Sequence, residues 1–494
     1  MTRTLSRQIP RVALQLRSIT MATARPKREG NISDSFISLS GVAAPPLPAR
    51  FLQLKKLLIS GHEDHVVNSW NRLLAELKRE NKMITGKGPQ IVPSVDFPDL
   101  DADLTKVRKE IEKRGVVVIR GLLPEDEARS FKDEIEEYVN QNPQTKAFPP
   151  DDPQVYELYW SAPQLRARLH PNMLRVQTAL MRLWHKSDPD SKISLSQPLS
   201  YADRLRIRQP GDATFALGPH VDGGSVERWE LNGYGLGGVY RKIFEGSWED
   251  YDPWDASTRV AAVMDNYNGL GACSMFRMFQ GWLSMSTTKP FEGTLMVNPA
   301  VKLSTTYMLL RPFFRSIKDP NQVPPDEYLA AENWEFCGSE MTSELQGASP
   351  GHGQELNTLL HPHLDLDNTM VHVPPIKPGD YVVWHCDTIH AVDKVHRGAT
   401  DSSVLYIPVC PVTGLNARCL VRQRAAFLNG TPGPDFPGGR GEADHVNRQT
   451  ESSLRSYATT EGLRAFGFEE LVPTTTDTTG AKRITTLANE ILGF

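Results

Sequence analysis

Apolar residues recur at helical spacing in the first third of the chain and again near its end. Through HVVNSWNRLLAELKRE, Val66, Trp70, Leu73, Leu74 and Leu77 fall on one face, which predicts a charged amphipathic helix. GVVVIRG, from Gly115 to Gly121, is a β-branched run bounded by glycines and reads as a buried strand. It feeds LLPEDEARSFKDEIEEYVNQ, where Pro124 sits near a helix start and Glu125 and Asp126 suit the N-terminal dipole. Ala128, Phe131, Ile135 and Val139 supply that helix's apolar stripe. Gln164 to His185 predicts a further helix pair.

From Leu199 to about Val412 the pattern changes to short alternating stretches separated by Gly, Pro and Asp. RLRIRQPG, FALGPHVDGG, SMFRMFQGWLSM, EGTLMVNP, NTMVHVPP, GDYVVWH and SSVLYIPV are regularly spaced strand candidates, the pattern of an all-β sandwich or barrel. FEGSWEDYDPWD and the helix-like KLSTTYMLLRPFF interrupt it as insertions. After Pro411 a helix over Leu415 to Leu428 is expected, then the Pro/Gly-rich loop TPGPDFPGGRG and a helical tail. No internal repeat is present.

Composition narrows the function classes. The chain has 494 residues, 39% apolar and 23% charged, and a net charge of -4. It has no basic stripe interleaved with aromatics for nucleic acid and no apolar run of about 18 residues for a membrane. A small-molecule substrate is the expected partner; oligomeric state is not legible. Cys273, Cys337, Cys386, Cys410 and Cys419 are odd in number and form no C-x-x-C pair, which suits a reducing cytoplasmic or mitochondrial compartment. Met1 to Arg28 carries no acidic residue before Glu29, seven basic ones, and Ile9, Val12, Ala13 and Leu16 on one helical face. That stretch reads either as a mitochondrial presequence or as a disordered basic tail. Up to about Pro48 the expectation is disorder or linker.

The chemistry-bearing phrase is GPHVDGG. Alternate side chains of a strand share a face, so His220 and Asp222 project together. An imidazole beside a carboxylate is two thirds of the facial triad that holds Fe(II) with positions left open. A third ligand must come from another strand, and GDYVVWHCDTIHAV provides one that ends in His385 and His390. The residues alone do not separate these two histidines. HPHLD, His361 to Asp365, repeats the ligand types but lies in a polar segment without flanking strands and is set aside. GYGLGG and PGGRG follow no strand and open no helix, so they are not phosphate loops.

The phrases YADRLRIRQPG, FALGPHVDGGSVERW, FRMFQGWL, EGTLMVNP, GDYVVWHCDTIHAV, LYIPVCP and RQRAAFLNGTPGPDFPGG together resemble the DUF1479 (YbiU-like) family of the cupin clan. More remotely the chain is similar to the phytanoyl-CoA hydroxylase group of Fe(II)/2-oxoglutarate oxygenases. The resemblance implies an α+β chain with a double-stranded β-helix, a cupin-like jelly roll, carrying helical N-terminal and C-terminal additions. With the pattern along the chain this gives a disordered tail or targeting segment over 1–48, a mainly helical support region over 49–190, a double-stranded β-helix metal domain over 191–430 and a loop and helical tail over 431–494. The resemblance also implies His220, Asp222 and His390 as iron ligands, with 2-oxoglutarate as co-substrate and hydroxylation of a small molecule as the reaction.

Such enzymes hold the co-substrate's distal carboxylate with a buried base after the second histidine, where this chain has Asp401, Ser402 and Ser403. Arg397 is the nearest arginine and the first expectation for that anchor, with Arg208 second; Arg204, Arg206, Arg228 and Arg277 are further arginines of the region. Trp229, Trp282 and His385 are expected near the substrate pocket. The departure at Ser402 and Ser403 keeps a second expectation alive: a cupin-like metal protein that binds a small carboxylate or performs lyase or isomerase chemistry.

Overall fold

The computed structural model describes residues 27–41 and 43–494. It is a mixed α and β chain with several sheets. The largest has eight strands in the order Ser94–Asp96, Val116–Arg120, Tyr381–His385, Phe279–Ser284, Ser402–Tyr406, Leu205–Arg208, Val155–Tyr156 and Ala147–Phe148. A second has five, in the order Gln354–Glu355, His220–Val221, His390–Val392, Leu295–Val297 and Val371–His372. Only the first pair of the large sheet is parallel, and helix Leu100–Arg114 makes its crossover.

Local chemistry explains most of these elements. Val116 to Ile119 is apolar at every position because the strand is interior and both its faces are covered; all four residues are fully buried. Gly115 ends the preceding helix at φ +68, and a Cβ there would meet Thr388 Oγ1 at 2.6 Å and Val301 Cβ at 2.8 Å. Its carbonyl accepts from the His385 N–H at 2.7 Å and the Thr388 hydroxyl at 3.0 Å, which fixes the turn leading to His390. The expected amphipathic helix is longer than its apolar spacing, Glu63–Lys87, and buries Trp70 in a stack on Phe314 at 4.3 Å and Tyr307 at 5.3 Å. Helix Leu100–Arg114 gave no sequence signal, since its first and last buried residues enclose a charged run with Leu104 and Ile111 as its buried apolar residues.

Residues 27–41 differ from the linker expected there. Asn31 and Asp34 form a capping box around the turn Ile32–Ser35, and Ile32 and Phe36 are buried. The partners that order this stretch lie far along the chain, at 265–272, 353–355 and 438, so no local pattern announces it. The apolar stripe Ile9, Val12, Ala13 and Leu16 lies outside the described residues. Among the described residues all five cysteines are free thiols, and no helix is long and apolar enough to cross a membrane.

His361, His363 and His385 are all core residues, and burial pushes each imidazole down to about 3. Below their ordinary value near 6.5 the unfolded chain binds protons that the native state refuses, so stability falls as pH drops through that value. Each contributes about 1.4 kcal/mol per pH unit below that point. We expect the thermal midpoint to fall steeply between pH 6.5 and 5. A flat profile by calorimetry over that range would show that these rings are not held neutral.

Candidate metal centre

The small sheet sets the geometry. His390 pairs directly with His220 across antiparallel neighbours, so the two rings stand side by side with centroids 4.1 Å apart. Asp222 follows two residues after His220 and returns to the same face. Its Oδ1 lies 3.6 Å from His220 Nε2 and its Oδ2 3.9 Å from His390 Nε2. Candidate ligand atoms of all three residues lie within 4.8 Å of one another. Gly224 lets the chain leave this point at φ +84, where a Cβ would meet the Met264 carbonyl at 2.5 Å.

The protonation states are those a metal requires. His220 Nδ1 donates to the Gly218 carbonyl at 2.7 Å and His390 Nδ1 to the Thr388 carbonyl at 3.1 Å. Carbonyls only accept, so both Nδ1 atoms carry a proton and both Nε2 atoms are the ones that face inward. Burial, with His220 adding to it, drives His390 down to about 3, so the ring is neutral. Burial raises the Asp222 carboxyl, but the two imidazoles, Arg277 and the Gln280 amide overcome it and hold the group at about 2. The Gln280 bond is 2.7 Å to Asp222 Oδ2. The neutral His390 ring and an ionised carboxylate converge with the His220 Nε2 on one point, a donor set that suits a metal.

The triad opens on a cavity of about 100 Å³ between the sheets, lined also by Phe36, Tyr201, Asp203, Arg204 and Arg277. Trp282, Trp384 and Tyr406 of the large sheet form its aromatic side; Trp282 stacks on Tyr406 at 6.0 Å and meets Trp384 edge-on at 5.7 Å. Trp282 thus lines the cavity beside the triad. Trp229 does not: it is buried away from the cavity with its indole N–H on the Leu309 carbonyl. Arg397 is exposed over Phe291 and does not line the cavity. Arg208 is fully buried, but its guanidinium is consumed by Asp212 and by the carbonyls of Asp393, Asp212 and Lys394. The cavity's positive charge comes instead from Arg204 and Arg277. Arg277 stands 3.7 Å from Asp222 Oδ2 and 3.9 Å from Asp203 Oδ2, while Arg204 faces Asp203 at 3.6 Å and Glu157 at 3.4 Å.

The chain belongs to the Gig2-like family, whose pattern it matches over residues 45–468. It is 30% identical over 423 residues to the protein YbiU of Escherichia coli strain K12, covering 83% of this chain and 93% of that one. The crystal structure of GlcNAc Inducible Gene 2, GIG2 (DUF1479), from Candida albicans superposes with a TM-score of 0.79 at 32% identity, covering 92% of this chain and 97% of that one. The hypothetical protein JW0805 from Escherichia coli gives a TM-score of 0.70 at 30% identity, with 86% and 100% covered. The family resemblance carried by the seven sequence phrases holds.

His385, Cys386 and Asp387 form a second cluster of ligand-type groups. Its atoms are already spent. His385 stacks on Trp184 at 4.7 Å, donates from Nε2 to the Pro253 carbonyl and accepts the Asp387 N–H at Nδ1. Burial pushes the Cys386 thiol up to about 12, which leaves no thiolate. The Asp387 carboxylate takes Arg228 at 2.8 Å, Arg259, and the hydroxyls of Tyr240 at 2.9 Å and Tyr251 at 3.2 Å. Burial opposes its charge, yet the two guanidiniums hold it well below the carboxylate range. Arg228 also donates to the Asp222 carbonyl at 2.6 Å, so one cation joins the strand end bearing Asp222 to the turn before His390. Sequence reading missed this clamp; Arg228 in GSVERW lies near the motif, but nothing linked it to Asp387. We expect Asp387→Ala to cost about 3–5 kcal/mol, because two buried guanidiniums lose their partner. Tyr251→Phe should cost about 1 kcal/mol. Denaturant titration of both variants checks the ratio; equal costs would show that the ion pairs carry no special weight.

Proposed function

We propose that this protein is a non-haem Fe(II)/2-oxoglutarate-dependent oxygenase that hydroxylates a small molecule, built on a double-stranded β-helix. The observation that carries the reading is the convergence of two inward Nε2 atoms and one ionised carboxylate on a single cavity, with both Nδ1 atoms tied to backbone carbonyls. The β-helix reading is supported by the placement of both histidines on adjacent strands of one sheet, facing Gln280 and Trp384 of the other. Iron and 2-oxoglutarate, when bound, would supply oxidative decarboxylation coupled to hydroxylation of a C–H bond.

The chain's own residues have distinct tasks. His220, Asp222 and His390 would hold the metal, at the edge of the cavity they line. Gln280 fixes the rotation of the Asp222 carboxylate by donating to Oδ2. Arg277 and Arg204 line the cavity and are the guanidiniums available to a co-substrate carboxylate, in place of Arg397 and Arg208. Trp282, Trp384 and Phe36 exclude water from the open side.

A second reading, a metal protein that binds a small carboxylate without an oxidative co-substrate, draws on one observation: both cavity arginines already face Asp203. Anaerobic Fe(II) titration with and without 2-oxoglutarate separates the two. The first reading expects stoichiometric iron and a weak visible charge-transfer band when 2-oxoglutarate is added. Iron binding with no affinity for 2-oxoglutarate would move the assignment to the second.

Substitution sharpens the test. His220→Ala, Asp222→Ala and His390→Ala should each abolish stoichiometric iron binding, while His385→Ala retains it. Arg277→Ala should weaken 2-oxoglutarate by about 2–5 kcal/mol, as expected when one side of a buried charge pair is truncated. Arg397→Ala and Arg208→Ala should leave the calorimetric affinity unchanged; a loss in either would return the anchor to that residue.

A further inference from the structure

We propose that residues 27–38 form a movable strap across the candidate cavity, and that Phe36 determines what reaches His220 and His390. The inference rests on the cavity being a ligand site and not on which metal it holds. The Phe36 ring meets His220 edge-on at 4.9 Å, and Ile32, Ser35 and Phe36 line the cavity beside the triad. The space left is about 100 Å³. Ligand sites run to about 300–1,000 Å³. With the strap in place only a very small group fits beside the ligand atoms. A larger substrate needs Phe36 to leave.

The strap is held in a way that lets it leave. The Lys27 ammonium is its latch: it is buried, lies 3.0 Å from Asp265 Oδ2, and donates also to the carbonyls of Gly269 and Ala272. Five further bonds are spread along it, two of them exposed side-chain pairs: Lys146 with Glu29 at 2.9 Å and the Ser38 hydroxyl with Glu355. The Arg28 carbonyl accepts from Gly438 at 3.0 Å, the Ser35 carbonyl accepts from Gly353 at 2.8 Å, and the Ser38 N–H donates to Glu355 at 3.1 Å. Gly353 is a cradle for the ring, since a Cβ there would meet Phe36 at 2.9 Å. Ile32 packs in a small cluster with Val155 and Phe215 that is separate from the main core. Detaching these residues therefore opens the cavity without opening the core. The strap precedes residue 45, where the match to the family pattern begins.

The test reads access directly and needs no metal. Metal-free full-length protein is treated with diethyl pyrocarbonate, and carbethoxylation of each histidine is followed by peptide mass spectrometry. His385, sealed behind Trp184, is the internal control. Phe36→Ala removes the gate, and Lys27→Met releases the latch at a distance from the rings. Both variants should raise the modification rate at His220 and His390 about tenfold, with His385 unchanged, as a larger open population predicts. Rates within about twofold of the parent in both variants overturn the strap, given that tenfold is the effect expected. So does parallel acceleration at His385, which would mean general loosening. Iron titration of the same samples keeps the two readings apart: gated histidines that bind no Fe(II) would sink the oxygenase and leave the strap standing.

Discussion

The register that sets His390 opposite His220 governs the rest of the candidate site. Side chains alternate along a strand, so slipping either partner by one residue would turn one imidazole to the far side of the sheet. The register is over-determined. His390 also pairs with Val297 on its other flank, the Thr388 turn is tied to the Gly115 carbonyl, and Arg228 bridges Asp222 to Asp387. Ligand geometry is thus imposed by backbone pairing and by one buried cation, and the imidazoles need only their Nδ1 bonds to aim them.

Burying Asp387 with two arginines and two tyrosines is expensive in desolvation, and an apolar replacement of similar volume could match its stability. What apolar packing would not supply is direction. A guanidinium with one arm on Asp387 and another on the Asp222 carbonyl fixes where the strand end lies relative to the turn before His390. The same cluster explains why His385, which shares the strand phrase with His390, is unavailable. Both its nitrogens are used, and its ring is part of an aromatic stack with Trp184 and Trp254.

The cavity is small, aromatic on the side of the large sheet, and charged at Arg204, Arg277, Asp203 and Asp222. Its charges are mutually paired, so an incoming carboxylate competes with Asp203 for guanidinium. Phe36 lines the cavity edge-on to His220, on a segment that belongs to neither sheet. Scaffold and access therefore come from different parts of the chain: the sheets lie within the family-matching region and the strap precedes it.

Much of this was legible in the sequence by itself. Alternation placed His220 and Asp222 on one face, β-branched runs marked the central strands, and helical spacing located the helices around Trp70, Phe131 and Phe427. Helix Leu100–Arg114 was hidden because so few of its residues meet the core. Which of His385 and His390 faces the cavity depended on sheet pairing between segments about 170 residues apart, since strand period alone says nothing about a partner's register. The arginines show the same division. Alternation along RLRIRQP puts Arg204, Arg206 and Arg208 on one face, but only tertiary contacts decided that Arg206 is used by Gln154 and the Phe215 carbonyl and Arg208 by Asp212. That leaves Arg204, with Arg277, at the cavity. Phe36 gave no signal because the groups that order it come from three distant loops, and contact order of that kind is not written in any local window.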